Sequence, residues 1–146
     1  MTRLLGLLLP FVLLSGCSEP FTVFPGGELS GEVAAPPQEW SDLRAEETFQ
    51  LETRPDDPYS VNIWAVGIGA DVYIGTGPDG TRWSEYVLDD PRVRLRVGET
   101  LYPLEARPVT DIAERRKVAR AYAEKYDLDS DENWVANARV FRLDRR

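Results

Sequence analysis

Histidine is absent from this 146-residue sequence, and cysteine occurs once, at position 17. The first absence removes imidazole metal ligands, histidine-ligated haem, a Ser-His-Asp triad and the commonest general base. The second excludes any internal disulfide. Positive charge is scarce as well: 17 Lys and Arg stand against 25 Asp and Glu, a net charge of −8. So acidic a chain does not suit nucleic acid, whose phosphates demand clustered cations, nor docking on anionic lipid by charge alone. Long apolar runs are missing too. Residues 4–14 form an apolar stretch of eleven residues, well short of the roughly 20 that cross a bilayer.

That short stretch has another use. Arg3 precedes it as a positive n-region, and the stretch has the length of a signal-peptide h-region. Leu14-Ser15-Gly16-Cys17 follows at once and resembles the lipobox of bacterial lipoproteins. The resemblance implies cleavage before Cys17 and acylation of that cysteine, with more than one chain giving stable anchoring. Ser18, in place of Asp, implies the outer membrane, so the expected address is its periplasmic face, reached through a lipid anchor at Cys17. Residues 1–16 are then a leader, and 17–38 a flexible tether; 18–38 carry four prolines and three glycines. Residues 39–146 make one domain. Without the leader the balance becomes 16 basic against 25 acidic residues, or −9.

Trp40 and Leu43 suggest a short helix over 39–46. Alternation predicts strands at 48–54, 60–66, 71–76, 92–97 and 101–109, with Gly67-Ile68-Gly69-Ala70 as a hairpin connection. A helix over 82–90 is stopped by Pro91. A longer helix over 111–126 opens on Asp111 with Glu114 three residues later and carries Ile112, Ala119, Tyr122 and Tyr126 along one stripe. A last strand is expected at 134–143. The fold class is α+β, mainly β, an antiparallel barrel with helices at its margin.

Residues 75–81, Gly-Thr-Gly-Pro-Asp-Gly-Thr, satisfy G-x-G-x-x-G. A dinucleotide loop needs a parallel strand before it and a full crossover helix after it. Here the strand arrives by a tight hairpin and the helix is too short, so Pro78-Asp79-Gly80 reads as a turn. Thr81 and Arg82 at the helix start could still form a phosphate seat. Asp127, Asp129 and Asp131 mimic a calcium loop, but Glu132 stands where glycine is required, and no metal site is expected. Arg92, Arg94 and Arg96 share one strand face and read as surface partners of carboxylates.

The stretch 72–97, VYIGTGPDGTRWSEYVLDDPRVRLRV, resembles the middle of the flavin-binding split-barrel superfamily, which includes pyridoxamine-phosphate oxidases and deazaflavin-dependent nitroreductases. The resemblance extends over about 48–143. It implies a six-stranded split barrel with one long helix in its C-terminal half. Such barrels are commonly dimeric, with FMN or a deazaflavin held along the subunit interface. By the same resemblance Arg82 matches a phosphate-contacting arginine, Thr81 the hydroxyl before it, and Thr76 a strand-end threonine. Trp83 stands where the oxidases have lysine and deazaflavin users tend to have tryptophan. Arg54 and the strand 60–64, with Asn62 and Trp64, fall where the isoalloxazine is laid. Two functions follow as expectations: an envelope-anchored, reductase-like cofactor domain, or a cofactor-free module that binds a small ligand or an envelope protein.

Overall fold

The computed structural model describes residues 26–46, 48–129 and 132–146. The leader, Cys17 and the first part of the expected tether lie outside the described residues. The elements run β1 (Glu32–Val33), a 3₁₀ turn (Ser41–Ala45), β2 (Phe49–Thr53), β3 (Tyr59–Ile63), β4 (Ala65–Ile68) and β5 (Asp71–Thr76). Then come α1 (Arg82–Asp89), β6 (Arg92–Val97), β7 (Thr100–Pro108), α2 (Ile112–Tyr126), α3 (Glu132–Asn137) and β8 (Arg139–Arg145).

One antiparallel sheet follows the order β3-β2-β6-β7-β8-β5-β4, and β1 adds to β7 in parallel. The two ends of that path, β3 and β4, are consecutive in sequence and separated only by Trp64. The sheet therefore curls until its first and last strands are two halves of one chain segment. This corrects the strand count. The expected strand 60–66 breaks at Trp64, giving seven strands along the path and a two-residue eighth, where six were expected. The last strand also starts later than expected, at Arg139, because Trp134 lies on α3. Asn137 Nδ2 reaches back to Asn133 Oδ1 at 2.7 Å, and the Ala138 amide to the Trp134 carbonyl at 2.8 Å.

Alternation sorts the side chains into two apolar layers. Phe49, Leu51, Val72, Ile74, Val93, Leu95, Phe141 and Leu143 point into the barrel, joined there by Trp83 and Val87 of α1. Tyr73 and Val140 point outward and are covered by Val118 and Tyr122 of α2. β5 is thus buried on both faces, which explains why Val72-Tyr73-Ile74 shows no polar alternation. Each such side chain withdrawn from water stabilises by about 1.5–3 kcal/mol. Asp111 caps α2, its Oδ1 accepting from the Glu114 amide at 2.7 Å.

Residues 26–38, expected as part of a tether, lie on the sheet instead. Gly26 bridges Ser60, and β1 pairs Glu32 with Thr100. The Leu29 amide donates to Glu52 Oε2 at 2.6 Å, and Glu52 is only 3% exposed. Arg94 completes the arrangement, with Nε and Nη2 at 2.7 and 2.6 Å from the same carboxylate. Arg94 is therefore not a solvated surface charge; it neutralises a buried acid beneath the strap. Farther on, the Trp40 amide bonds the Gly69 carbonyl at 2.8 Å, and the backbone approaches so closely that a Cβ at Gly67 would fall 2.2 Å from the Trp40 carbonyl oxygen.

Candidate functional site

The glycine loop is closed by its own chain. The Gly80 amide bonds the Gly77 carbonyl at 3.0 Å, and Gly80 takes φ +73°. Arg139 lies against it: a Cβ at Gly80 would meet the guanidinium at 2.7 Å. That guanidinium donates to the Pro78 carbonyl at 3.3 Å and pairs with Glu85. At the start of α1 the Thr81 amide donates to Ser84 Oγ at 2.9 Å, which in turn donates to the Thr81 carbonyl at 2.8 Å. The donors available to a phosphate are thus reduced, and the one guanidinium against the loop is already matched to a carboxylate.

The expected site residues do not converge. Thr81 and Arg82 are exposed, and Arg82 borders none of the principal clefts among the described residues. Trp83 turns inward, 6% exposed, with its ring edge-on to Phe141 at 5.7 Å. Its ring is committed to the core and offers no wall to a cofactor. Arg54, at φ 57°, pairs with Asp57 and lies over Tyr86 at 4.5 Å, beside Asp56, Asp89 and Asp90. Those carboxylates make that corner unsuitable for an anion. Asn62 accepts from Gln50 Nε2 at 3.3 Å and lines a small cleft of about 130 Å³ under the strap, with Arg96. Thr76 pairs with Arg139 at the end of β5.

Trp64 alone lies in a cleft with the chemistry of a ligand site. It is 49% exposed and stacks on Tyr126, with centroids 4.5 Å apart and planes 10° from parallel. The aromatic surface continues through Tyr122 to Trp134, each step 5.7 Å between centroids. Helix α2 fixes the strand break on which Trp64 sits. Tyr122 Oη donates to the Trp64 carbonyl at 2.9 Å. Tyr126 Oη donates to the Ala65 carbonyl at 3.0 Å and accepts from its amide at 3.1 Å. Lys125 Nζ reaches the Leu43 and Ala65 carbonyls at 2.7 and 3.0 Å. Burial, reinforced by Tyr126, pushes the Tyr122 hydroxyl far above its ordinary range, so it stays a neutral donor.

The cleft holds about 340 Å³, between Trp64 and Trp134, floored by Gly75, Ala119, Tyr122 and Ala123 and rimmed by Leu128 and Asp129. Small residues at 75, 119 and 123 leave the room; a Cβ on Gly75 would already sit 3.3 Å from the Trp134 ring. Apart from Trp64, sequence reasoning assigned none of these to a site. The signal was the tyrosine stripe of α2, which reads equally well as core packing.

Neither protein-family models nor curated sequences match this chain. Solved structures match in shape. An F420-H2-dependent reductase, FDR-A, superposes with a TM-score of 0.57 at 18% identity, over 68% of this chain and 95% of its own. The fold is the split barrel. A second split barrel, a FAD-binding protein from Mesorhizobium loti, gives 0.54 at 17% identity over 71% and 84% of the two chains. A third, the haem storage protein HutZ of Vibrio cholerae, gives 0.57 at 16% over 72% and 86%. Split barrels named for F420, FAD and haem share one architecture, so fold alone does not choose a ligand.

Proposed function

We propose that this split barrel binds a planar heteroaromatic cofactor of the flavin or deazaflavin class, its ring laid against Trp64, and serves as a reductase-like domain. The observation that carries the reading is the half-exposed Trp64 ring, backed by Tyr126 and bordering an apolar cleft. Its volume lies in the range of small-molecule sites. Offset stacking on an indole contributes about 0.5–1.5 kcal/mol beyond the area it buries. A flavin-class ring would supply hydride transfer itself, so a chain with no histidine can host it. Trp64 and Trp134 would orient the ring, and Leu128 would limit the access of water to it. Arg82, exposed on α1, has no part in this reading.

Titrating the detergent-solubilised protein with FMN, riboflavin and F420 while following tryptophan fluorescence tests it. Micromolar quenching is expected with at least one ring, weakened about tenfold in Trp64→Ala, the loss of roughly 1.4 kcal/mol. Absence of quenching by all three overturns it.

The address is proposed on sequence alone: cleavage after Gly16, acylation of Cys17 and residence on the periplasmic face of the outer membrane. Cys17→Ala should abolish incorporation of labelled palmitate and release the protein from membranes. Labelling that persists in that variant contradicts the anchor. The split-barrel resemblance implies pairing along the cofactor, and one solved structure of similar shape is described as a domain-swapped dimer, so a homodimer is the assembly this reading expects; sedimentation with and without ring ligand tests it.

A further inference from the structure

The Trp64 cleft is suited to a ring and unsuited to a phosphate. Among the residues that line it, Asp129 is the one charged side chain. Asp127, two residues before, closes α2 in the left-handed conformation and adds a second carboxylate to the same turn. Three cations of the flanking elements are committed elsewhere. Lys125 is held by the Leu43 and Ala65 carbonyls. Arg115 donates to the carbonyls of Val109, Val135 and Ala138. Arg139, whose own strand flanks Gly75, is matched by Glu85. Arg116, one turn before Ala119, is not among the residues that line the cleft.

A phosphate brought to this rim would lose hydration, find no guanidinium or ammonium among the described lining residues and face the Asp129 carboxylate. An uncharged ring meets none of these costs. Its imide-type N–H could donate to Asp129, and its faces would lie on indole and phenol rings.

We infer that the cleft selects an uncharged, unphosphorylated planar heteroaromatic, riboflavin-like in chemistry, and discriminates against the phosphorylated form of the same ring. The inference rests on the cofactor reading above and sharpens it to a ligand class. Riboflavin and FMN are the matched probes, since they share the ring and differ by the phosphate.

The experiment is a pair of titrations followed by ring and tryptophan fluorescence, in the full chain, at low and at high ionic strength. Riboflavin should bind about tenfold tighter than FMN at low salt. The gap should shrink several-fold at high salt, where the screening length falls to a few ångströms. Asp129→Asn, a change at an exposed position, should narrow it in the same way by strengthening FMN binding. FMN binding as tightly as riboflavin, or a preference unmoved by both salt and Asp129→Asn, overturns this inference and leaves the cofactor reading standing. Binding of neither ring overturns this inference, and the cofactor reading falls with it when F420 fails to bind as well.

Discussion

Substituting Gly67 by alanine puts a single methyl group where the structure has no room. The new Cβ would fall 2.2 Å from the Trp40 carbonyl oxygen and 2.6 Å from the Trp40 Cβ. Both are backbone or backbone-fixed atoms, so no side-chain rotation relieves the contact. Either β4 shifts or the segment from Trp40 to the 3₁₀ turn lifts away. Lifting exposes Trp40, now 2% exposed, and Leu43, and breaks the Trp40 amide bond to Gly69 and the Lys125 bond to the Leu43 carbonyl. Two large apolar side chains at about 1.5–3 kcal/mol each, less the chain entropy regained, leave a loss of about 3 kcal/mol. Urea unfolding followed by circular dichroism should show that loss, with Trp40 emission red-shifted in the folded baseline. Gly69→Ala is the internal control. A Cβ there meets nothing within 4 Å, and only its φ of +59° opposes alanine, a cost of about 1 kcal/mol. Equal and small effects at the two positions would refute the close approach and, with it, the docking of residues 40–45 on β4.

Glu52→Ala strands the Leu29 amide and a partly buried Arg94, and should cost about 2–4 kcal/mol in the same melts. Glu52→Gln keeps an acceptor and should cost less; the reverse order contradicts the strap. Alkali offers another check. Tyr73 is pushed above its ordinary value of 10 by burial and by the carboxylate of Glu114, to which its hydroxyl donates at 2.9 Å, and Tyr122 is pushed up by burial. With both folded values above the unfolded one, their stabilising contribution is complete below pH 10 and is lost as pH rises through the folded values. Ultraviolet titration should find Tyr73 and Tyr122 ionising only as circular dichroism is lost; ionisation of all six tyrosines in the folded protein contradicts this.

The fold was largely legible because period-two alternation is steep where one face is wet, as in Arg92 to Val97, whose pattern and the short turn after it fit its register on β2 and β7. It failed where packing overrides pattern. Trp64 sits in a run with strand propensity throughout, yet bonds from Tyr122 and Tyr126, some sixty residues away, fix the break there. Trp134 looked like strand because aromatic residues favour sheets, but a helical turn lets it cover Gly75. Residues 26–38 looked like a tether because proline and glycine dominate; Gly31 is required where a Cβ would meet the Glu99 carbonyl oxygen at 2.5 Å. Of the cleft proposed as the site, the sequence reading named one residue, Trp64. Nothing local says that Arg82 lies away from the principal described clefts or that Trp83 faces the core.

The four tryptophans supply the most direct test, since two border the cleft and two are buried in the core. In indole N–H spectra of the labelled protein, titrated with riboflavin, the Trp64 and Trp134 resonances should move together and saturate. Those of Trp40 and Trp83 should stay in place. Shifts confined to Trp83, beside Arg82 on α1, with Trp64 unmoved, would place the ring elsewhere and contradict the account.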